Sequence, residues 1–211
     1  MMKMTARTFF TEEEKHRIEM AVQEAESRTS GEIVPMLVDA SYDYPRAEIV
    51  GGGIFATATA GLIAWWLGHS SMWVFLPMFL PLYFLFKLIL RQSPGLKRRL
   101  IHPDEMAAEV EEKALLSFYE QGLQHTRDQT GVLILISLLE HRVFVLADRG
   151  INQRVPPETW DEMVRTITLG IRDGHACEAL CAAIRHCGDL LEEQFPRKAD
   201  DTDELPNLIL E

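Results

Sequence analysis

The chain has 211 residues, 47% hydrophobic and 25% charged, and its 32 Asp and Glu outnumber 21 Lys and Arg to give a formal net charge of -11. That acidity argues against a nucleic-acid partner, because phosphate binding needs a basic face and the chain has none outside the flank of its apolar stretch. The three cysteines, Cys177, Cys181 and Cys187, share one helical segment without a paired framework, which excludes a disulfide-stapled fold and fits a compartment where thiols stay reduced.

Met1 to Arg28 is polar and lacks the apolar run of a secretory leader, so the amino terminus is expected on the cytoplasmic side. Thr11 with Glu14 forms a capping box, and Ile18, Ala21, Val22 and Ala25 make the stripe of a helix packed on one face. Gly31 is expected to end it with a left-handed cap. Glu32 to Val38 then reads as a strand, in which Pro35 lacks a ladder donor and predicts an edge or a bulge.

From Ile49 to Phe86 there is no Asp, Glu, Lys or Arg, and the stretch breaks only at Gly68-His69-Ser70-Ser71. As helices, Ile49 to Leu67 and Trp73 to Leu90 are about 28 Å and about 27 Å long, close to the hydrocarbon thickness of a bilayer. The pattern is that of a transmembrane hairpin. Trp65, Trp66 and Trp73 flank its loop at headgroup depth, and Lys87 and Arg91 close the second span. Arg46 precedes the first span and Arg91, Lys97, Arg98 and Arg99 follow the second, while the loop has neither Lys nor Arg, so both termini face the cytoplasm. Gly51-Gly52-Gly53 suits close helix approach, and Pro77 and Pro81 free backbone carbonyls that a neighbouring helix or water must satisfy.

Past the hairpin, Pro103, Asp104 and Glu105 open a helix striped by Ala107, Val110, Ala114 and Phe118, with Gly131 expected to end it. A weak repeat accompanies this: Arg28-Thr29-Ser30-Gly31-Glu32-Ile33-Val34 and Arg127-Asp128-Gln129-Thr130-Gly131-Val132-Leu133 both lead from helix through glycine into strand. Val132 to Leu139 is apolar enough to be covered on both faces, Glu140-His141 turns, and Arg142 to Asp148 returns antiparallel, so the sheet is mixed. Two helices finish the domain, one striped by Trp160, Met163, Val164, Ile167 and Ile171 and broken at Asp173-Gly174, the other by Leu180, Ile184, Cys187, Leu191 and Phe195 and stopped at Pro196. Cys177, Cys181 and His186 do not have zinc-site spacing, and the cysteines read as core. Lys198 to Glu211 is expected to be a mobile acidic tail.

Thr130-Gly131-Val132-Leu133-Ile134-Leu135-Ile136-Ser137, followed by Arg142-Val143-Phe144-Val145-Leu146-Ala147-Asp148-Arg149-Gly150-Ile151, resembles the core of the TPM domain family, as does Ser30-Gly31-Glu32-Ile33-Val34. The resemblance implies an α/β fold, a three-layer α/β/α sandwich with a mixed sheet, here interrupted by the inserted hairpin. It implies a first part of the domain at 1–45, the hairpin with its basic flank at 46–100, the second part at 101–197 and the tail at 198–211. Members of that family are membrane-anchored or lumenal proteins linked to photosystem repair, to modulation of membrane receptors and in some cases to acid phosphatase activity with a divalent ion. The localisation expected here is a cell membrane, that of the bacterial inner membrane, crossed more than once.

Asp39 and Asp148 each follow a predicted strand, and if those strands are neighbours running the same way the two carboxylates can share calcium or magnesium, with Asp43 nearby in sequence. Arg149 and Gly150 then form the adjoining turn, the arginine for a phosphate and the glycine for close backbone approach. The phosphatase-like members resemble one another in a Gly-x-Gly-x-Glu stretch after the third strand, whereas Asp148-Arg149-Gly150-Ile151-Asn152-Gln153-Arg154 keeps one glycine and no following acid. The oxygen ligand count falls with it. No phosphate-loop string occurs, His102, His125, His141 and His175 are scattered, and no residue is assigned to catalysis. Two readings stand. The first is an interaction or assembly and quality-control module for membrane protein complexes, whose partners are the bilayer and another membrane protein or a second copy of itself. The alternative is a divalent-metal-assisted phosphatase at the membrane surface.

Overall fold

A computed structural model describes residues 5–67, 72–126, 129–197 and 205–211. The expected hairpin loop, Gly68 to Ser71, lies outside them, as do Arg127, Asp128 and residues 198–204. The chain divides into two compact units, Tyr42–Met106 and the pair of segments Met1–Ser41 and Ala107–Glu211.

The first segment opens with α1 (Ala6–Phe9) and α2 (Glu12–Glu26). The capping box at α2 is present: Thr11 Oγ1 accepts from the Glu14 N–H at 3.2 Å, and the Glu14 carboxylate accepts from the Thr11 N–H at 2.8 Å. β1 (Glu32–Val38) follows, and after the inserted unit come α6 (Pro103–Glu120), a 3-10 turn at Leu123–His125, β2 (Gly131–Ser137), β3 (Arg142–Ala147), α7 (Arg149–Asn152), α8 (Pro157–Arg172), α9 (Ala176–Gln194) and β4 (Ile209–Leu210). The inserted unit itself contributes α3 (Pro45–Trp66), α4 (Met72–Gln92) and α5 (Pro94–Arg98).

The described strands form one mixed sheet in the order β3-β2-β1-β4. β1 is parallel to β2 and to β4, and β3 is antiparallel to β2. Strand period two then sorts the side chains onto two faces. Ile33, Leu37, Val132, Ile134 and Ile136 join the stripes of α2, α8 and α9 in one core, and Val34, Met36, Val38, Leu133 and Leu135 join Val110, Ala114 and Phe118 of α6 in the other. The result is an α/β/α sandwich.

Pro35 is accommodated for a reason the register supplies. Leu37 and Asp39 exchange main-chain bonds with Glu211, so alternate residues of β1 face that side, Pro35 among them. β4 pairs only with Met36 and Leu37. Among the described residues no strand pairs with Pro35 on that side, so its missing donor breaks no ladder bond there, and the Ile33 N–H two residues earlier is met by the Glu26 carboxylate at 2.9 Å.

Two expectations are corrected. Gly31 and Gly131 are not left-handed caps, since positive φ among the described glycines occurs only at Gly122 and Gly174. Their role is close approach. A Cβ on Gly31 would stand 2.8 Å from Leu191 Cδ1, and one on Gly131 2.9 Å from the Leu123 carbonyl oxygen. Correspondingly α6 ends at Glu120, and Gly122 at φ +78° is the glycine that reverses the chain. The acidic tail, expected to be mobile from Lys198, ends as β4: Leu208 and Leu210 pack on one core, Leu205 and Ile209 on the other, and Lys113 Nζ holds the Glu211 carboxylate at 2.9 Å. Alternating apolar residues at that end found an unfilled sheet edge.

Within the inserted unit, α3 and α4 are long and apolar enough to cross a membrane. They pack antiparallel, because Gly51 meets Leu90, a Cβ on Gly52 would lie 3.3 Å from the Lys87 nitrogen, and the Phe55 and Phe86 rings are 5.8 Å apart. Gly52, Ala56, Ala60 and Ala64 recur every four residues and are buried, forming the small-residue seam that lets the two backbones come close. The outer faces stay bare, with Val50, Ile54, Leu62, Leu76, Leu80, Phe84 and Leu88 all more than half exposed.

Candidate functional site

The sheet places the two proposed ligands apart. Asp39 follows β1 at the end marked by Ser137, whereas Asp148 follows β3 at the end marked by Gly131, to whose carbonyl its N–H donates at 2.8 Å. β2 lies between, and its six steps from Gly131 to Ser137 separate the two ends by roughly 20 Å. A cation that holds its ligands at about 2.3–2.6 Å is not shared across that span. Among the described residues no three His, Cys, Asp or Glu come together as a metal site.

Each carboxylate instead has local work. Asp39 Oδ1 accepts from the Ala6 N–H at 2.5 Å and so caps α1, while its own N–H and carbonyl join Glu211 and Leu139. Asp148 Oδ1 accepts from the Arg149 N–H at 2.6 Å, its carbonyl takes the N–H groups of Ile151 and Asn152, and Asn152 Nδ2 returns to the Ala147 carbonyl at 2.6 Å. Among the described residues Asp148 Oδ2 is shut away from solvent and has no hydrogen-bond partner. Arg149 is exposed, and Gly150 lies inside the short helix α7 with ordinary negative φ. Asp43 falls in the other unit.

A polar cluster that sequence reasoning passed over sits at the carboxyl ends of β1 and β2. Glu140 is 1% exposed, accepts from the Ser41 N–H at 3.1 Å and receives a short hydrogen bond from the Ser137 hydroxyl. The signal was Ser137 closing an otherwise apolar strand with an acid three residues later, which read only as a turn. A second missed pair lies in the inserted unit. Lys97 Nζ meets Glu48 Oε1 at 2.7 Å and also donates to the Asp43 carbonyl, with both charged side chains nearly buried.

The cysteines are core, as expected. Burial pushes the Cys187 thiol up to about 12, and burial, then the neighbouring Cys181, does the same to Cys177. Burial thus keeps both thiols in the neutral form, which is the weaker nucleophile.

Residues 98–190 match the family model of the TPM domain. The chain is similar to a solved structure, the NMR structure of the BA42 protein from the psychrophilic bacterium Bizionia argentinensis, with 25% sequence identity, coverage of 96% of this chain and 94% of that one, and a TM-score of 0.57. No curated protein sequence matches.

Proposed function

We propose that the chain is a membrane-anchored member of the TPM domain family, whose model its residues 98–190 match, and that it serves as an interaction or assembly and quality-control module for membrane protein complexes. The observation that carries this reading is the inserted hairpin. Its two helices have membrane length, and the most apolar stretches are only 28% and 6% buried, against the mostly buried state of a soluble core helix. Water is a poor solvent for those faces; lipid and another membrane protein's helices are good ones. Basic residues gather at the terminal end of the hairpin, which supports a multi-pass cell-membrane protein with both termini cytoplasmic, as in a bacterial inner membrane. Partners in this reading are the bilayer and a second membrane protein or another copy of the chain. The metal-assisted phosphatase draws no support from the donor geometry, since Asp39 and Asp148 stand at opposite strand ends.

The test compares the full chain with one in which residues 46–100 are replaced by a short flexible linker. The full chain should resist carbonate extraction from membranes and, after mild detergent treatment, migrate within a complex larger than its own micelle. The linker form should be soluble and should migrate alone. A full chain that washes off with carbonate, or that migrates alone, refutes the module reading.

A further inference from the structure

We propose that the base of the hairpin is a collar that binds the phosphate headgroups of anionic lipids through Arg46, Lys87, Arg91 and Arg99. The inference rests on the hairpin spanning a bilayer and goes on to name what its base recognises. Charge is sorted along the chain: residues 42–106 hold six of the 21 Lys and Arg but four of the 32 Asp and Glu, so this unit is positive and the remainder strongly negative. The fold brings the cations to one end. Arg46 lies in the first turn of α3, Lys87 and Arg91 in the last turns of α4, and Arg99 caps α5. A Cβ on Gly51 would meet both Leu90 and Leu100, and one on Gly52 would meet the Lys87 backbone, which ties those three helix ends together.

The acids near them are already engaged or few. Glu48, the carboxylate on α3, is taken by Lys97, whose charge is thereby spent inside the unit. Asp104 lies 3.4 Å from His102 Nδ1, and Asp43, whose carbonyl also accepts from Lys97, and Glu105 are left exposed. Among the described residues Arg46, Lys87, Arg91 and Arg99 make no ion pair, and Arg46, Arg91 and Arg99 are exposed. Three of the four are arginines, whose planar fork takes two phosphate oxygens at once. Exposed apolar side chains border them within a helical turn: Val50, Leu88, Leu96 and Leu100. A free phosphate ion has no use for such a border, whereas a phospholipid places its acyl chains there, and this selects the lipid as ligand. At the opposite end the exposed Trp65, Trp66 and Trp73 face the other interface with no charge on the helices beside them.

The experiment reconstitutes the full chain in phosphatidylcholine bilayers and compares the motionally restricted fraction of spin-labelled phosphatidylglycerol with that of spin-labelled phosphatidylcholine. The anionic label should be restricted about fivefold more at low salt, and the preference should shrink as salt screens the collar. Arg46→Gln, Arg91→Gln and Arg99→Gln combined should equalise the two labels, and the same three changes to Lys should keep most of the preference. Equal restriction in the native chain at low salt overturns the collar, as does a preference that survives the Gln changes or is erased by inorganic phosphate at constant ionic strength. If neither label is restricted, the chain is not in the bilayer and the spanning reading falls with it; equal restriction of both leaves that reading standing.

Discussion

Gly170→Ala probes how closely α8 and α9 pack. A Cβ at residue 170 would lie 2.1 Å from Ala179 Cβ and 3.2 Å from the His175 carbonyl oxygen. Carbon atoms rest at about 3.5–4.0 Å, so the helices must part by roughly 1.5 Å, and neither obstacle has a rotatable end to swing away. Alanine gains about 1 kcal/mol over glycine in a helix interior, but overpacking costs about 1–3 kcal/mol and also loosens Met163 and Ile167 against Leu180 and Ile184, which share one core. The expected net is a loss of up to about 2 kcal/mol, or up to about 4–8 °C in the midpoint for a domain of this size. Thermal unfolding of the full chain in detergent, followed by circular dichroism, reads it. Ala179→Gly removes the opposing Cβ, so the double variant should be more stable than the sum of the two single losses. A higher midpoint for Gly170→Ala alone, or strict additivity in the double variant, refutes the close approach.

Asp39→Asn and Asp148→Asn should have additive effects on stability within about 0.5 kcal/mol, because the two groups sit far apart with no shared partner, while a shared cation would couple them; a double-mutant cycle decides. Burial holds the Cys187 thiol neutral in the fold up to about 12, against 9.0 for the free thiol, so its stabilising contribution is complete below pH 9 and is lost as pH rises from there toward 12. By pH 10 that thiol alone should cost on the order of 1 kcal/mol, and Cys187→Ala should flatten that part of the stability profile. Removal of residues 208–211 takes away β4, the two main-chain bonds of Glu211 to β1 and its pair with Lys113, and should lower stability by about 2–3 kcal/mol and promote association through the bared edge, read by melting and size exclusion.

Periodicity carried most of the fold. The stripes of α2, α6, α8 and α9 bury most of the residues that their spacing selects, with Ala107, Val164 and Ile171 half-buried at the margins, because a helix with one apolar face has one way to sit on a sheet. Glycines were harder. Gly31 and Gly131 precede strands just as left-handed caps do, and only the fold distinguishes a residue that needs positive φ from one that needs no Cβ. The docking of Leu208 to Glu211 depends on an edge left open by strands far away in sequence, so the segment read as an acidic run with three apolar residues. The Lys97–Glu48 pair was hidden for a similar reason: a basic residue after a span reads as an interface anchor, and its partner is 49 residues away.

The separation of Asp39 from Asp148 was legible only in part, since the antiparallel β3 follows from the turn but the direction of β1 does not. The turn at Glu140-His141 makes β3 run back along β2, and a parallel β1 then ends where β3 begins. Two strands joined by a tight hairpin cannot present their carboxyl ends together. What the carboxyl ends of the parallel pair do hold is the buried Ser137–Glu140–Ser41 cluster, and at this end of β1 the chain leaves the sheet for α3. A parallel pair needs a crossover of at least a dozen residues in any case, so a long insertion there changes no strand register. The same argument explains why the hairpin sits ahead of α6 and not within a strand: length added to a crossover costs only slowly growing loop entropy, whereas one residue added inside β1 or β2 would turn Ile33, Leu37, Val132 and Ile134 to the wrong face.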